Sequence, residues 1–239
     1  CKAKTVDAYS LARAEWVIEG YITTEKVWET EEAEKVGKED VTPFFPEWPG
    51  YLGKAWRSRK FQVTALTHRK EPIFYNWLAA SFDPQYCSFD FREACFYELA
   101  DRLVPGLVTD VHIPFALRFW GGVVYQVTKR RPRDEGYQRN ILVHALTAQP
   151  GLRLVIAVDE DVDIYSMDDV MWALMSRTEP ATSFLRGAPS SRGVAAQPSE
   201  ITGETTAGGF GGGLAIDATV PFLQKGRFER AHYAVDRVN

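Results

Sequence analysis

Glu47 is the residue of this chain whose neighbours most suggest chemistry. It lies in residues 42–51, TPFFPEWPGY, among Phe44, Phe45, Pro46, Trp48 and Pro49. A carboxyl held among apolar groups is costly to ionise, which raises its pKa. A raised pKa suits a general acid working near neutrality. The plainer reading is a surface glutamate beside a structural aromatic turn, and on pattern alone that reading is preferred. A second candidate is the acidic run DEDVDIY, where Asp159, Asp161 and Asp163 match the first three ligand positions of a calcium loop. The match then fails: Ile164 stands where the sharp turn needs Gly, and Val170 where a bidentate Glu belongs. A strand end followed by a turn and a capped helix accounts for it better. A third is GETTAGGFGGG, residues 203–213, which lacks the spacings of a phosphate-cradling loop and reads as a flexible connection.

Composition bounds what these residues can serve. The chain has 239 residues, 45% hydrophobic and 25% charged, with a net charge of −4. That is enough to bury a core, and it offers no overall basic excess for nucleic acid or an anionic membrane. No apolar run approaches the ~20 residues of a membrane helix. Three cysteines, Cys1, Cys87 and Cys95, form no CxxC pair and read as free thiols of a reducing, cytoplasmic compartment. The four histidines, His68, His112, His144 and His232, are scattered, so no local zinc site is expected. The chain opens CKAKTVDAYS, with neither a start residue nor a leader pattern, and reads as part of something longer.

The elements that must position the candidates follow from periodicity. Residues 13–23 and 61–69, rich in β-branched and aromatic residues, predict strands. Residues 24–42 carry a charge run and predict a solvated loop or short helix. The stretch FFPEWPGYLG, dense in Pro and Gly, predicts no regular structure. A helix from residue 89 stops at Pro105-Gly106. Strands follow over 107–113 and 117–128, then a helix over 136–149 with Ile141, Leu142, Ala145 and Leu146 on one stripe. LRLVIAVD, residues 152–159, is continuously apolar, as in a buried central strand. Ser166 caps a final helix whose first turn holds Asp168 and Asp169 and whose C-terminal end holds Arg177. Helix, two strands, helix, strand, helix is an α/β sandwich. Residues 181–213 lose periodicity and predict a long loop.

Taken in order, AEWVIEGYI, FFPEWPGYLG, VTALTHRKEPIF, VDEDVDIYSMDDVMWALMSRTEP and GLAIDAT resemble the C-terminal half of the UbiD family, the prenylated-FMN-dependent (de)carboxylases. The resemblance covers nearly the whole chain, and its acidic block is the most specific. It implies a mixed α/β fold: residues 1–75 as the end of a split β-barrel cofactor domain, residues 76–180 as a C-terminal α/β sandwich domain, and residues 181–239 as a Gly-rich loop and tail able to pack on a neighbouring subunit. It places Glu47 on the family's proton-donating Glu, in a non-oxidative, reversible decarboxylation of an aromatic or α,β-unsaturated acid, with the cofactor as electron sink.

The departures shape the expectation as much. The family carries a second Glu five residues before the donor, paired with an Arg; here that position is Thr42, with Glu39 or Asp40 as substitutes if the loop shifts. Phe45, Trp48, Phe89 and Phe91 are the expected substrate-pocket residues. The Arg and the ligands of a divalent metal (Mn or Mg, with an accompanying K) lie upstream of the residues present, so cofactor-binding groups are expected outside this chain and no metal within it. The implied partners are an N-terminal UbiD-like half, as a separate chain or further segment, a homo-oligomer of the complex, and a UbiX-like flavin prenyltransferase that supplies the cofactor. Two other functions stay open: a non-catalytic scaffolding subunit, which Thr42 favours, and a physiological carboxylase.

Overall fold

A computed structural model describes residues 1–47, 50–78, 81–149, 152–187 and 213–231. The chain divides into two units, residues 1–80 and 81–239.

The first unit is built on a long antiparallel ribbon. Strand β1 (Trp16–Trp28) pairs with β4 (Arg57–His68), from Trp16 opposite His68 to Trp28 opposite Arg57, with register shifts after Glu19 and after Ile22. Alternating aromatic and β-branched side chains favour this extended form. Glu19 is buried and accepts the Lys4 and Thr5 N–H groups at 2.8 and 2.6 Å, which ties the first residues to the ribbon. The expected loop or short helix of residues 24–42 divides. Its start extends β1 as far as Trp28, and its middle is helix α1 (Glu31–Val36). Thr30 caps α1 by accepting Ala33 N–H at 3.1 Å. The Pro-rich stretch expected to be irregular holds a small hairpin, with β2 (Pro43–Pro46) antiparallel to β3 (Leu52–Lys54). Its prolines are tolerated because, among the described strands, β2 pairs on one side only.

The second unit is a five-stranded mixed sheet between helices, ordered β5-β6-β7-β9-β8. In chain order it runs α2 (Phe82–Leu103), β5 (Val108–His112), α3 (Arg118–Gly121), β6 (Gly122–Val127), α4 (Tyr137–Ala148), β7 (Leu154–Asp159), α5 (Met167–Arg177), β8 (Phe184–Arg186) and β9 (Leu214–Ala218). Strands β6, β7 and β9 are parallel; β5 and β8 are antiparallel to their neighbours. The stretch 117–128 is a helical turn before it is a strand, so β6 begins only at Gly122. Residues 181–239 are more than loop and tail, because β9 lies inside the sheet between β7 and β8.

The core follows period two. Val123, Tyr125, Val155 and Ala157 face α2 and α4, where they meet Phe89, Phe96, Ile141 and Leu142. Val124, Ile156 and Val158 face the other way, onto Val162, Ile164, Val170 and Ala173 of α5 and its approach. Strands covered on both faces must be apolar throughout. No described helix is long and apolar enough to cross a membrane. Ile156 is fully buried, whereas Met175 on α5 is 74% exposed. Ile156→Ala should therefore cost about 2–5 kcal/mol and Met175→Ala less than ~0.5 kcal/mol, read as shifts in the urea midpoint.

Candidate functional site

In the first unit Glu47 stands where β2 turns towards β3. Its N–H donates to Tyr51 O at 2.8 Å and its carbonyl accepts Gly50 N–H at 2.9 Å, which closes the turn. Gly50 takes φ 95°, a left-handed conformation suited to glycine. The Glu47 side chain folds back across β3. A Cβ on the buried Gly53 would stand 3.1 Å from both Cγ and Oε1 of Glu47. Glu47 is half-buried, and among the described residues its carboxyl makes no hydrogen bond or ion pair. Such a carboxyl can give or take a proton without first breaking a bond.

The other sequence candidates are placed as follows. Thr42 is buried; its carbonyl accepts Ala55 N–H at 3.0 Å, and its Oγ1 has no partner among the described residues. Glu39 and Asp40 are exposed. Asp40 takes φ 59° and donates its N–H to Ala55 O at 3.1 Å. Phe45 is exposed and packs edge-on against Phe44, with ring centroids 4.6 Å apart. Trp48 lies outside the described residues, as do residues 188–212 of the Gly-rich stretch. Phe89 and Phe91 belong to the second unit. Phe89 is enclosed in its core, while Phe91 is 75% exposed.

The second unit gathers charge at the carboxyl ends of its parallel strands, where open α/β sheets commonly present functional groups. Lys129, just beyond β6, is buried and donates from Nζ to Thr219 Oγ1 (2.9 Å), Val220 O (2.5 Å) and Glu135 Oε2 (3.2 Å). Asp217 of β9 accepts Gln138 Nε2 at 3.0 Å, Arg139 Nε at 2.8 Å and Thr219 Oγ1 at 2.6 Å. Asp159, the last residue of β7, accepts Val220 N–H at 2.7 Å and Arg177 Nη1 at 3.0 Å. Burial pushes its carboxyl above the usual range, against the pull of Val220 N–H, Lys129 and Arg177. Arg177 also grips Asp161 with both terminal nitrogens, at 2.9 and 2.6 Å.

The guanidinium thus occupies the place a cation would take between two of the calcium-like aspartates. Sequence reasoning noted Asp159, Asp161 and Arg177 but missed Lys129, Asp217 and Thr219. The available signal was polar residues at or just beyond the ends of apolar strands.

A cavity of about 860 Å³ opens beside this network, lined among others by Asp159, Asp161, Arg177, Lys225, Phe228 and Arg230. Arg230 bonds both oxygens of Asp169, at 2.6 and 3.0 Å, and lies 4.1 Å over the Trp172 ring; Arg177 lies 4.9 Å from the same ring. The walls are charge-compensated, and among the described residues no group of three His, Cys, Asp or Glu is placed to hold a metal. No chemical step is derived through a metal or a flavin.

Two predictions follow from this geometry. Gly53→Ala should push the Glu47 carboxyl aside and shift its 13C resonance, assigned by loss in Glu47→Gln, while the Glu25 resonance stays put. The Arg230 hydrogen bonds hold the Asp169 carboxyl below its usual range. A depressed folded pKa contributes stability that is full above the unfolded value near ~3.9 and is lost as pH falls through the folded value. Trp172 fluorescence, taken as the difference from Trp172→Phe, should therefore be flat down to about pH 5 and change only below about pH 4. Asp169→Asn should show the changed signal already at neutral pH.

Comparison with known proteins places these features in a family. Residues 1–81 match the model of the 3-octaprenyl-4-hydroxybenzoate carboxy-lyase Rift-related domain, and residues 90–218 that of its C-terminal domain. Gallate decarboxylase of Lactiplantibacillus plantarum is 35% identical over 237 residues, 96% of this chain and 46% of that protein. The apo crystal structure of Klebsiella pneumoniae 3,4-dihydroxybenzoic acid decarboxylase superposes with a TM-score of 0.81 at 31% identity, over 98% of this chain and 47% of that one. The UbiD-class enzyme HmfF of Pelotomaculum thermopropionicum, solved with FMN, gives 0.77 at 28% identity, over 100% and 49%. The chain spans about half the length of these relatives.

Proposed function

This chain belongs to the UbiD family, and on that footing we propose that it supplies the proton-transfer part of a reversible, non-oxidative (de)carboxylase acting on an aromatic acid. The observation that carries the proposal is the Glu47 carboxyl, half-buried beyond β2 and without a bonding partner among the described residues. Exchanging a carboxylate for hydrogen requires one proton delivered to the carbon that loses carbon dioxide. Glu47 in its acid form supplies it; as the carboxylate it removes that proton in the reverse direction. Carbon dioxide supply then sets the physiological direction. The matches to gallate and 3,4-dihydroxybenzoic acid decarboxylases support a hydroxylated aromatic acid over other α,β-unsaturated acids. Structures of related enzymes with FMN and prenylated FMN support a prenylated flavin, supplied by a UbiX-like prenyltransferase and bound largely by groups outside the described residues.

The first unit also supports a partner. Among the described strands, β1 and β4 pair only with each other, so each has one free edge. Ile18, Ile22 and Leu66 stand 59%, 71% and 56% exposed along the ribbon. Unpaired edges and exposed apolar side chains call for cover. The N-terminal half of a UbiD-like fold, on a further segment or another chain, provides it, and copies of the completed unit then associate.

A second reading, a scaffolding subunit without catalysis, draws on one observation: a buried Thr42 stands where the resemblance expects a carboxylate. The two separate in a reconstituted complex with an N-terminal UbiD-like half and prenylated FMN. Glu47→Gln should lower decarboxylation of dihydroxy- or trihydroxybenzoate by about 10²–10⁴-fold and remove solvent deuterium exchange into the product, with the melting temperature unchanged. Turnover that survives Glu47→Gln would show that another group donates the proton. A folded, flavin-loaded complex with no turnover across these acids would favour the scaffold.

A further inference from the structure

The chain carries net negative charge, yet residues 129–139, KRRPRDEGYQR, hold five Lys or Arg against two acids. Two of these cations are committed. Lys129 is buried on Glu135, Thr219 and Val220, and Arg139 is paired with Asp217 at 2.8 Å. The other three, Arg130, Arg131 and Arg133, are exposed, and their guanidinium groups have no partner among the described residues.

The nearby acids hydrogen-bond backbone N–H groups or other side chains rather than these guanidinium groups. Asp134 spends one oxygen on the backbone N–H groups of Arg130 and Arg131, both at 2.9 Å. Glu135 holds Lys129, Gln138 and Phe222 N–H. Asp101 accepts Gly106 N–H at 2.8 Å. Three positive charges thus stand within four residues, with Asp134 beside them.

The backbone sets the shape of the segment that carries them. Pro132 opens a short 3-10 turn, Pro132–Asp134, that holds the arginine segment in one shape. Gly106, at φ 72°, makes the turn after α2, and a Cβ there would stand 3.3 Å from an Arg130 Nη. The missing side chain leaves Arg130 room across that turn. Between the turn and the arginine segment lies a cavity of about 370 Å³, lined by Val104, Arg130, Arg131, Arg133, Asp134 and Tyr137, among others. Helix α4, of 12 residues, starts on the same rim at Tyr137, without a side-chain cap or an acid in its first turn. Its uncapped N–H groups add positive potential to that of the arginines.

We propose that this cavity is a binding site for a small phosphorylated anion, a phosphate monoester or a diphosphate. Forked, always-charged guanidinium groups match phosphate oxygens in pairs. The volume sits at the lower end of small-molecule pockets, ~300–1,000 Å³. The half-exposed Tyr137 ring offers a face to whatever the phosphate carries. The site lies wholly within the second unit and involves neither Glu47 nor the proton transfer assigned to it, so it stands or falls separately from the decarboxylase reading.

Isothermal titration of the full chain with inorganic pyrophosphate, and in parallel with AMP, tests the proposal. Saturable one-to-one binding in low salt is expected for at least one of them. Tighter binding of AMP would assign the Tyr137 ring to an organic group, and tighter binding of pyrophosphate would assign the site to the phosphates alone. Replacing Arg131 and Arg133 together by Gln should weaken binding by about tenfold or more and flatten its salt dependence, leaving the unfolding midpoint of the free chain unchanged. Arg227→Gln, an exposed cation elsewhere, should leave affinity unaltered. The proposal is overturned by absence of saturable binding to both probes, or by equal affinity in the wild type and the double variant. It is also overturned if a single-stranded RNA oligomer binds far more tightly than either probe with a steeper salt slope, since that would mark an extended nucleic-acid surface.

Discussion

The buried ammonium of Lys129 is the constraint around which the second unit is arranged. A full charge with its side chain closed off from solvent is tolerable only if its donors are used. Two separate segments supply the acceptors: Glu135 ahead of α4, and Thr219 and Val220 after β9. Thr219 is oriented in turn by Asp217, and Val220 N–H by Asp159, which shares Arg177 with Asp161. The carboxyl ends of β6, β7 and β9 are thereby locked together by side chains, while the strands themselves are held by apolar packing on both faces. Removing the Glu135 carboxylate takes the salt-bridge partner from an ammonium that water does not reach.

What could be read from residues alone was what is local. The apolar run of β7, the Ser166 cap, the acids in the first turn of α5 and the stripe of α4 all have their causes within a few residues of themselves. The second unit also held surprises where the cause is distant. Arg177 looked like a cation complementing a helix end, yet it is buried against Asp159 and Asp161 some sixteen to eighteen residues earlier. Strand β9 was hidden because a five-residue strand beyond a long Gly-rich stretch has no meaning until β7 and β8 flank it. The β2–β3 hairpin was hidden by its own composition, since Pro and Gly argue against pairing except at an edge.

The proton-donor candidate shows the same division. The aromatic setting and the family motif single out Glu47, but its posture was not legible. The folding of the Glu47 side chain over Gly53 is a contact across a turn, visible only once β3 is in place. Phe89 and Phe91 were both read as pocket residues. Two positions on a helix differ by about 200° around its axis, so burying one turned the other outward. At Thr42 the two kinds of information differ: the motif expects an acid, and the structure places a buried hydroxyl there.

The interior position of β9 also bears on how such a chain is made. During synthesis, β5 through β8 emerge first, but β8 has no neighbour other than β9 among the described strands, and one flank of β7 stays open until residues 214–218 arrive. Strand β9 leaves the ribosome after the four strands whose sheet it completes. Its pairing spans some sixty residues of chain, from Leu154 to Leu214, so it is entropically slow to form. The growing domain therefore passes through a period in which hydrogen-bonding edges are bare, and a nascent-chain chaperone would find its substrate in that interval.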